Sequence, residues 1–253
     1  MQHYYITSPL EQFEIQELWY QNLLGYNATL TNIGLYFIII FGLILSMNYF
    51  SDNLNYIIPS RWSFSQESIY SVFHNMVLSQ IGGTKGQLYF PLIYSLFILI
   101  LISNFLGNIP YSFAVTSHLV FTIGLSITIL IGVTILGFMT HKLKFFALFI
   151  PAGTPLSLVP LLVIIEFISY LARAISLGLR LGANVMAGHM LLTILSGFLY
   201  NIMTSSFLLF ILALLPFALV IGIAGLELAI SAIQSYVFAI LTSSYIKDAL
   251  DLH

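Results

Sequence analysis

The sequence predicts an all-α integral membrane protein with about five membrane-embedded helices and one amphipathic helix at the membrane interface. Of the 253 residues, 59% are hydrophobic and only 6% are charged, whereas soluble domains carry about 25% charged residues. Apolar runs of about 20 residues recur along the chain, and each is long enough to cross the hydrocarbon core as a helix. These runs do not alternate in polarity, as the strands of a membrane barrel do.

A polar and acidic segment precedes the membrane domain. Residues 1–27 include Glu11 and Glu14 and lack the basic and apolar regions of a secretory signal, so we expect a tail outside the bilayer. Residues 28–253 are expected to form a single membrane domain, whose first span covers residues 28–50.

Residues 64–81 predict an amphipathic helix. Ile69, Phe73 and Met76 recur at helical spacing, while polar side chains occupy the other faces. Such a helix either lies at the membrane interface or packs on other helices of the protein, and both interpretations stay open. A glycine pair that begins at Gly82 is expected to end it.

Two hairpins of apolar helices complete the predicted topology. The first covers residues 88–140, and a Pro- and Gly-rich loop from Pro151 leads to the second, over residues 155–247. Residues 155–200 alone could form a helix of about 65 Å, which is twice the hydrocarbon thickness, so this helix must tilt steeply or break. Polar residues from Asn201 onward predict the turn of the second hairpin.

The basic residues of the predicted loops all fall on one side of this topology. Positively charged loops stay on the side of synthesis, so this side also receives the C-terminus and the opposite side receives the N-terminal tail. The residues concerned are Arg61, Lys85, Lys142, Lys144 and Lys247.

The first long helix carries a polar stripe within its apolar sequence. At 100° per residue, Arg173 and Arg180 lie close in azimuth, and Glu166 and Asn184 flank them on the same face. His189 falls on the opposite face of an ideal helix. Either the helix is distorted, or His189 and Arg180 face different cavities.

The last helix carries a second stripe, because three of its polar residues fall on one heptad series. Folding the two helices antiparallel predicts three polar rungs at different depths. The rungs pair Glu166 with Asp248, Arg180 with Gln234, and His189 with Glu227. This register places apolar Leu241 opposite Arg173, so Arg173 is expected either to bond Glu166, one heptad away, or to take part in proton transfer.

Ionisable groups at different depths of a membrane are the arrangement that a proton relay needs. Arg180 stays charged at any physiological pH, so it blocks proton transfer along the ladder and favours the ionised form of a nearby carboxylate. Three further polar residues of the spans could line a water path or hydrogen-bond between helices. These are Asn104, Asn108 and His118.

The composition also limits which cofactors, metal ions and macromolecular partners are expected. The chain has no cysteine and no evident cage of carboxylates, so we expect no cofactor and no metal site. Its few scattered Lys and Arg residues form no basic stripe, so nucleic acid is not an expected partner.

Several sequence motifs resemble the subunit a family of F-type ATP synthases, and fungal mitochondrial members look most similar. The match includes L-G-L-R-L-G-A-N-V-M-A-G-H at residues 177–189 and E-L-A-I-S-A-I-Q-S-Y-V-F at residues 227–238. It continues through S-P-L-E-Q-F-E-I, I-P-Y-S-F-A, P-A-G-T-P-L and S-S-Y-I-K-D-A, and therefore spans nearly the whole chain.

The resemblance implies a non-catalytic, proton-translocating stator subunit in the mitochondrial inner membrane, with its N-terminus toward the intermembrane space and its C-terminus toward the matrix. It implies that two offset aqueous half-channels couple proton flow to rotation of the c-ring. The other implied partners are the peripheral-stalk subunit b, small membrane subunits, the lipid bilayer, protons and water. It also implies that the two long helices form a steeply tilted hairpin against the ring.

The resemblance also implies residue roles. Arg180 would be the essential arginine that faces the carboxylates of the ring. The intermembrane-space half-channel would contain His189 and Glu227, the matrix half-channel Glu166 and Asp248, and the flanking polar positions Asn184 and Gln234.

Other membrane functions fit the residues less well. A proton-pumping membrane subunit of a respiratory complex is the main alternative, although such subunits normally carry lysines within their spans and this chain has none there. An electron carrier would need paired haem-ligating histidines, yet only His118 and His189 fall within predicted spans. An intramembrane protease is not indicated, because neither G-x-S-x-G nor H-E-x-x-H occurs.

Overall fold

The structure is a computed structural model that describes residues 10–23, 26–51, 60–109, 112–150 and 158–250. Five segments in this part of the chain are helical, long and apolar enough to cross a membrane, which confirms the predicted fold class. The segments are Asn32–Ser51, Lys85–Gly107, Leu119–His141, Val159–Ser205 and Phe207–Leu250.

An antiparallel β-hairpin precedes the first span, which the sequence analysis did not predict. A 3-10 turn at Glu11–Phe13 leads into strands β1 (Glu17–Leu23) and β2 (Tyr26–Thr31), and helix α1 (Asn32–Ser51) follows directly. The first span therefore begins at Asn32, and the residues from 28 to 31 that were assigned to it belong to a strand.

Ser60 is the N-cap of helix α2 (Arg61–Ile81), and its side chain accepts a hydrogen bond from Ser63 N at 3.3 Å. It ends at Gly82, whose φ of 96° favours glycine. The apolar face of α2 buries Phe73 and Val77 in a core shared with the second and last spans, so the helix packs on protein. Its location at the membrane interface stays a prediction.

Helices α3 (Gly83–Gly107) and α4 (Leu119–His141) form the middle spans, and a 3-10 turn at Val115–Ser117 leads into α4. Another 3-10 segment, Lys142–Phe149, follows α4. The predicted Pro- and Gly-rich loop after it lies outside the described residues.

Helix α5 (Val159–Ser205) is unbroken over 47 residues and ends where Ser206 adopts an extended backbone. The short helix α6 (Phe207–Leu212) and the long helix α7 (Leu214–Leu250) follow. Proline has no backbone N–H group, so Pro216 cannot donate the helical hydrogen bond to the carbonyl oxygen four residues earlier. The helix is accordingly interrupted near Ala213. These helices correspond to the predicted second hairpin.

Helix α7 lies at the centre of the bundle, where it packs against α2, α3, α4 and α5. Its buried surface is unusually polar for a membrane helix. The buried polar residues of α7 are Glu227, Ser231, Gln234, Ser235, Thr242 and Ser243. Because burying polar groups is costly unless they are paired, this side of α7 indicates a functional site.

Candidate functional site

The contact between α5 and α7 brings an imidazole and a carboxylate together. His189 Nε2 lies 3.7 Å from Glu227 Oε1, and the side chains are 16% and 9% exposed. A Cβ atom on Gly188 would lie 2.7 Å from Glu227 Oε1, so the glycine makes this approach possible. Neither His189 Nε2 nor Glu227 Oε1 has a hydrogen-bond partner among the described residues.

A groove of about 410 Å³ extends from this pair along α5 and α7. Asn184 Nδ2 donates a hydrogen bond to Gln234 Oε1 at 3.4 Å across the groove. Gln234 Nε2 is buried and finds no partner in the described parts of the chain. Ser231 also lines the groove, between Glu227 and Gln234 in the sequence of α7.

Helix α3 adds two amides to this polar region. Asn104 Nδ2 donates to the Ser231 carbonyl oxygen at 3.2 Å, and Asn108 Nδ2 donates to Ser231 Oγ at 2.8 Å. These bonds confirm the helix-to-helix role that was one of the two interpretations for both residues. The Oδ1 atoms of Asn104 and Asn108 are nevertheless buried without a partner in the described structure.

His118 lies at the start of α4, where its ring contacts Phe113 with centroids 5.1 Å apart. Burial lowers the pKa of His118, which favours the neutral ring. Its Nε2 atom is buried, and no described side chain or carbonyl bonds to it.

Arg180 occupies the outer surface of α5. Buried Gly178 and Gly182 pack that helix closely on Thr122 and Ser126 of α4, which directs the arginine away from the bundle. It makes no hydrogen bond or ion pair with another described residue, and it is exposed. Small and apolar residues form a shallow groove with it, namely Ala172, Ile175, Ser176, Leu179 and Ala183.

Arg180 and His189 therefore face different surroundings, as one of the two interpretations of their azimuths required. The imidazole faces α7 inside the bundle, while the guanidinium lies on an open face. Helix α5 does not need to be distorted to accommodate both.

A second polar cavity, of about 230 Å³, lies near the other end of the contact between α5 and α7. Arg173 Nη1 is 3.3 Å from Asp248 Oδ2, and the Arg173 guanidinium lies 5.8 Å from the centre of the Tyr245 ring. Glu166 and Tyr170 line the same cavity. Tyr170 Oη is buried without a hydrogen-bond partner in the described residues.

Arg180 separates the two polar regions along α5. At 1.5 Å per residue, it lies about 10 Å from Arg173 and about 13 Å from His189 along the helix axis. Along the axis of α5, the level of Arg180 is thus between the levels of the two polar regions.

Comparison with known proteins identifies the family. A model of the ATP synthase A chain matches residues 30–247. ATP synthase subunit a of Emericella nidulans is 58% identical over 254 residues, which cover 98% of both chains. The Neurospora crassa protein of the same name is 57% identical over 249 residues, which cover 98% of this chain and 95% of that one. The Mycosarcoma maydis protein is 56% identical over 98% of both chains.

The chain belongs to the ATP synthase A chain family. Its helices, which are apolar enough to cross a membrane five times, agree with a multi-pass membrane subunit. Residues 30–247, which the family model matches, include His189, Glu227 and Arg180.

One predicted contact in this ATP synthase A chain is wrong. Arg173 was expected to have no polar partner on the last helix, and a bond to Glu166 was one of its two possible roles, but it pairs with Asp248. Between the His189–Glu227 and Arg173–Asp248 contacts, α7 advances by more residues than α5 does. A fixed antiparallel register therefore does not hold along the whole hairpin.

The other rungs are partly reproduced. Glu166 and Asp248 share a cavity, and His189 lies beside Glu227 as expected. Gln234 was predicted to pair with Arg180, but it accepts a hydrogen bond from Asn184, which lies one helical turn after Arg180.

Ser231 and Tyr170 were not singled out from the sequence. Ser231 is four residues after Glu227 and three before Gln234, so helical spacing places it on the same face. Tyr170 is likewise four residues after Glu166 and three before Arg173, so it lies on the same face as both. The signal that could have found both was the i, i+4, i+7 pattern of polar residues.

Proposed function

We propose that this chain is a non-catalytic stator subunit that carries protons across the membrane sector of an F-type ATP synthase. Two offset half-channels lead protons to and from carboxylates of a rotating c-ring, and Arg180 separates the half-channels. Proton flow is thereby coupled to rotation and to ATP synthesis elsewhere in the complex.

The outward, unpartnered placement of Arg180 is the observation that carries this proposal. Placing a charged arginine within a membrane costs about 3 kcal/mol or more, so a neutralising partner is expected. No described carboxylate of this chain is within ion-pair distance, and the groove around Arg180 is lined by small and apolar side chains. An acidic group on a neighbouring subunit would satisfy the guanidinium and could approach closely.

The first half-channel is assigned to the region of His189, Glu227 and Gln234. Three buried polar atoms there, His189 Nε2, Glu227 Oε1 and Gln234 Nε2, have no hydrogen-bond partner in the described residues, and the 3.7 Å between imidazole and carboxylate is longer than a direct hydrogen bond. Asn104 and Asn108 extend this region toward the end of α3. A chain of water and titratable groups can pass protons along it.

The second half-channel is assigned to the cavity that contains Glu166, Tyr170 and Asp248. Arg173 is paired with Asp248 there. Because the two cavities lie at different levels of α5, a proton can leave only after transfer to a moving group.

Arg180 supplies the gate between the two paths. Its guanidinium cannot release a proton at physiological pH, so it blocks direct transfer from one cavity to the other. It also favours deprotonation of a ring carboxylate that passes it. Each charge that crosses a potential of 100 mV releases about 2.3 kcal/mol, which a leak past the ring would waste.

The proposed surroundings follow from the family and the loop charges. We place the protein in the mitochondrial inner membrane, with the N-terminus toward the intermembrane space and the C-terminus toward the matrix, because the basic loop residues lie on the predicted matrix side. Besides the ring, its partners would be the peripheral-stalk subunit b and small membrane subunits. Family membership leaves no support for the alternative of a respiratory-complex subunit.

Substitution of Arg180 tests the proposal. We expect Arg180→Ala to abolish proton-driven ATP synthesis while the complex still assembles, because the charge is needed during turnover and the exposed side chain makes no hydrogen bond or ion pair with another described residue. The measurement is ATP synthesis by the purified complex in vesicles, with assembly followed by native electrophoresis. Arg61→Ala, the same change at the first residue of α2, is the control and should synthesise ATP normally. Unchanged proton transport in Arg180→Ala would remove the proposed gate.

A further inference from the structure

The N-terminal 3-10 turn lies directly on the part of α5 that carries His189. Gln12 Oε1 accepts a hydrogen bond from Thr193 Oγ1 at 3.1 Å. The Phe13 ring meets the His189 imidazole edge to face, with centroids 6.3 Å apart and an interplanar angle of 81°. These two contacts place the turn beside the imidazole. Among the described residues, Phe13 is the aromatic ring that contacts His189.

Thr193 links the turn to the backbone of His189. Its single hydroxyl hydrogen is shared between Gln12 Oε1 and the His189 carbonyl oxygen, which lies 2.7 Å away, one helical turn back. The turn is thus tied to both the ring and the main chain of the same residue.

The chain after the turn is anchored to the start of α1. Asn32 Nδ2 donates to the Glu14 carbonyl oxygen at 3.0 Å, and Asn32 Oδ1 accepts from Gln16 N at 3.3 Å. Asn32 N donates to the Gln16 carbonyl oxygen at 3.1 Å. Since both of its ends are bonded to membrane helices, the segment from Gln12 to Gln16 is a fixed part of the structure.

The His189 ring needs such a support. Its Nε2 atom has no hydrogen-bond partner in the described structure and faces Glu227 across 3.7 Å, so no hydrogen bond at Nε2 fixes the ring orientation. A proton relay depends on the orientation of each ring, and an edge-to-face aromatic contact restricts it.

We infer that Gln12 and Phe13 are positioning residues for His189, and that the N-terminal turn forms one wall of the half-channel where protons arrive. Phe13 holds the imidazole toward Glu227, while Gln12 fixes the turn on α5 through Thr193. This inference rests on the proposed function. The turn lies outside residues 30–247, the part of the chain that the family model matches.

The titratable groups around His189 come from several elements. Glu227 faces it from α7, and Gly107 at the end of α3 lies near Nε2 without adding a charge. The N-terminal segment carries Glu11 and Glu14 on either side of Gln12 and Phe13 in the sequence. A change in the orientation of His189 would alter how this group of residues takes up protons from the aqueous side.

Substitutions that loosen the turn test the inference in the assembled ATP synthase. We expect Phe13→Ala to slow proton-driven ATP synthesis roughly 3- to 10-fold, as misplacement of a transfer group does. The dependence of the rate on pH at the proton-uptake side should shift as well, because His189 no longer keeps its place beside Glu227. Thr193→Val, which removes the hydroxyl, should act in the same direction.

Two matched controls separate positioning from a general structural effect. Ile15→Ala alters an apolar side chain of the same segment that is 52% exposed, and Thr193→Ser keeps the hydroxyl. Both should retain the normal rate and pH profile. If Phe13→Ala prevents assembly, Thr193→Val with its serine control decides the question alone.

The outcomes also distinguish this inference from the proposed function. Normal rates in Phe13→Ala and Thr193→Val, together with slowed synthesis in Glu227→Gln, would overturn the positioning role and leave the half-channel in place. A slower rate with an unshifted pH profile would also overturn it, because a structural defect alone explains that result. Normal synthesis in Glu227→Gln would instead overturn the proposed half-channel.

Discussion

Gly188 controls how closely Glu227 can approach α5. A Cβ atom there would lie 2.7 Å from Glu227 Oε1 and 2.9 Å from Cδ, within the space that the carboxylate occupies. The atoms that would be displaced are at the end of a flexible side chain, so the helices themselves need not separate. A methyl group at this position therefore probes the placement of the carboxylate more than the stability of the fold.

We expect Gly188→Ala to slow proton-driven ATP synthesis by about tenfold without loss of assembly, since Glu227 must turn away from His189. The rate of synthesis and the amount of assembled complex are measured together. Gly197→Ala on the same helix is the control, because no atom lies within 4 Å of a Cβ there. A normal rate in Gly188→Ala would mean that the position of Glu227 is not critical.

Individual site residues differed in how far the sequence predicted them. The antiparallel register of the two helices predicted the His189–Glu227 pair, and the structure contains it. The Arg173–Asp248 pair could not be derived in this way, because a long arginine side chain reaches beyond its own level and the two helices do not keep one register. Periodicity gives the face of a residue, while contacts between helices also depend on their crossing.

Close packing of α4 and α5 sets the direction in which α5 presents its polar groups. A Cβ atom on Gly178 would lie 2.8 Å from both Ile123 Cα and the Thr122 carbonyl oxygen. Backbone atoms cannot move aside as a side chain can, so any substitution here must separate the helices. Small residues at such contacts are a general means of helix association in membranes.

We expect Gly178→Ala to destabilise the subunit by about 1–3 kcal/mol, the usual cost of overpacking, and to lower the amount of assembled complex. Thermal unfolding of the purified complex and its yield after native electrophoresis measure the effect. The matched control is Gly124→Ala on α4, whose Cβ would meet no atom within 4 Å. Equal stability of the two variants would show that this contact is not needed for assembly.

The long apolar helices were predictable because length and hydropathy determine them. Helix α5 extends from Val159 to Ser205 near the bounds that composition suggested. The β1–β2 hairpin was missed, since its residues carry no alternation strong enough to distinguish strands from a polar tail. The contact of Phe13 with His189 was also beyond prediction, because the two residues lie far apart in sequence and only the fold joins them.

At the scale of the whole molecule, the two cavities lie near opposite ends of one helix pair, with the outward arginine between them. Each has its own carboxylates, and no described polar contact connects the two regions. In the proposed function every transferred proton passes through both cavities. It passes through one cavity before it binds a carboxylate of the ring and through the other after it is released. The two paths therefore act in series.

Series transport makes a specific prediction for a double variant. Glu227→Gln and Asp248→Asn each delay one step, and each amide keeps the shape of the carboxylate that it replaces. The time for one transfer is the sum of the times of its steps, so the double variant should show about the sum of the two delays and not the product of the two fold changes. Proton flux through the membrane sector at a fixed potential measures all three variants.

A pair of substitutions within one cavity provides the comparison. His189→Gln combined with Glu227→Gln disrupts a single relay, and groups that act as one unit are strongly non-additive, so the double variant should be little slower than the more severe single variant. Multiplied delays for Glu227→Gln with Asp248→Asn would mean that both residues act on the same step. The two cavities would then form one connected path, and Arg180 could not be the barrier between them.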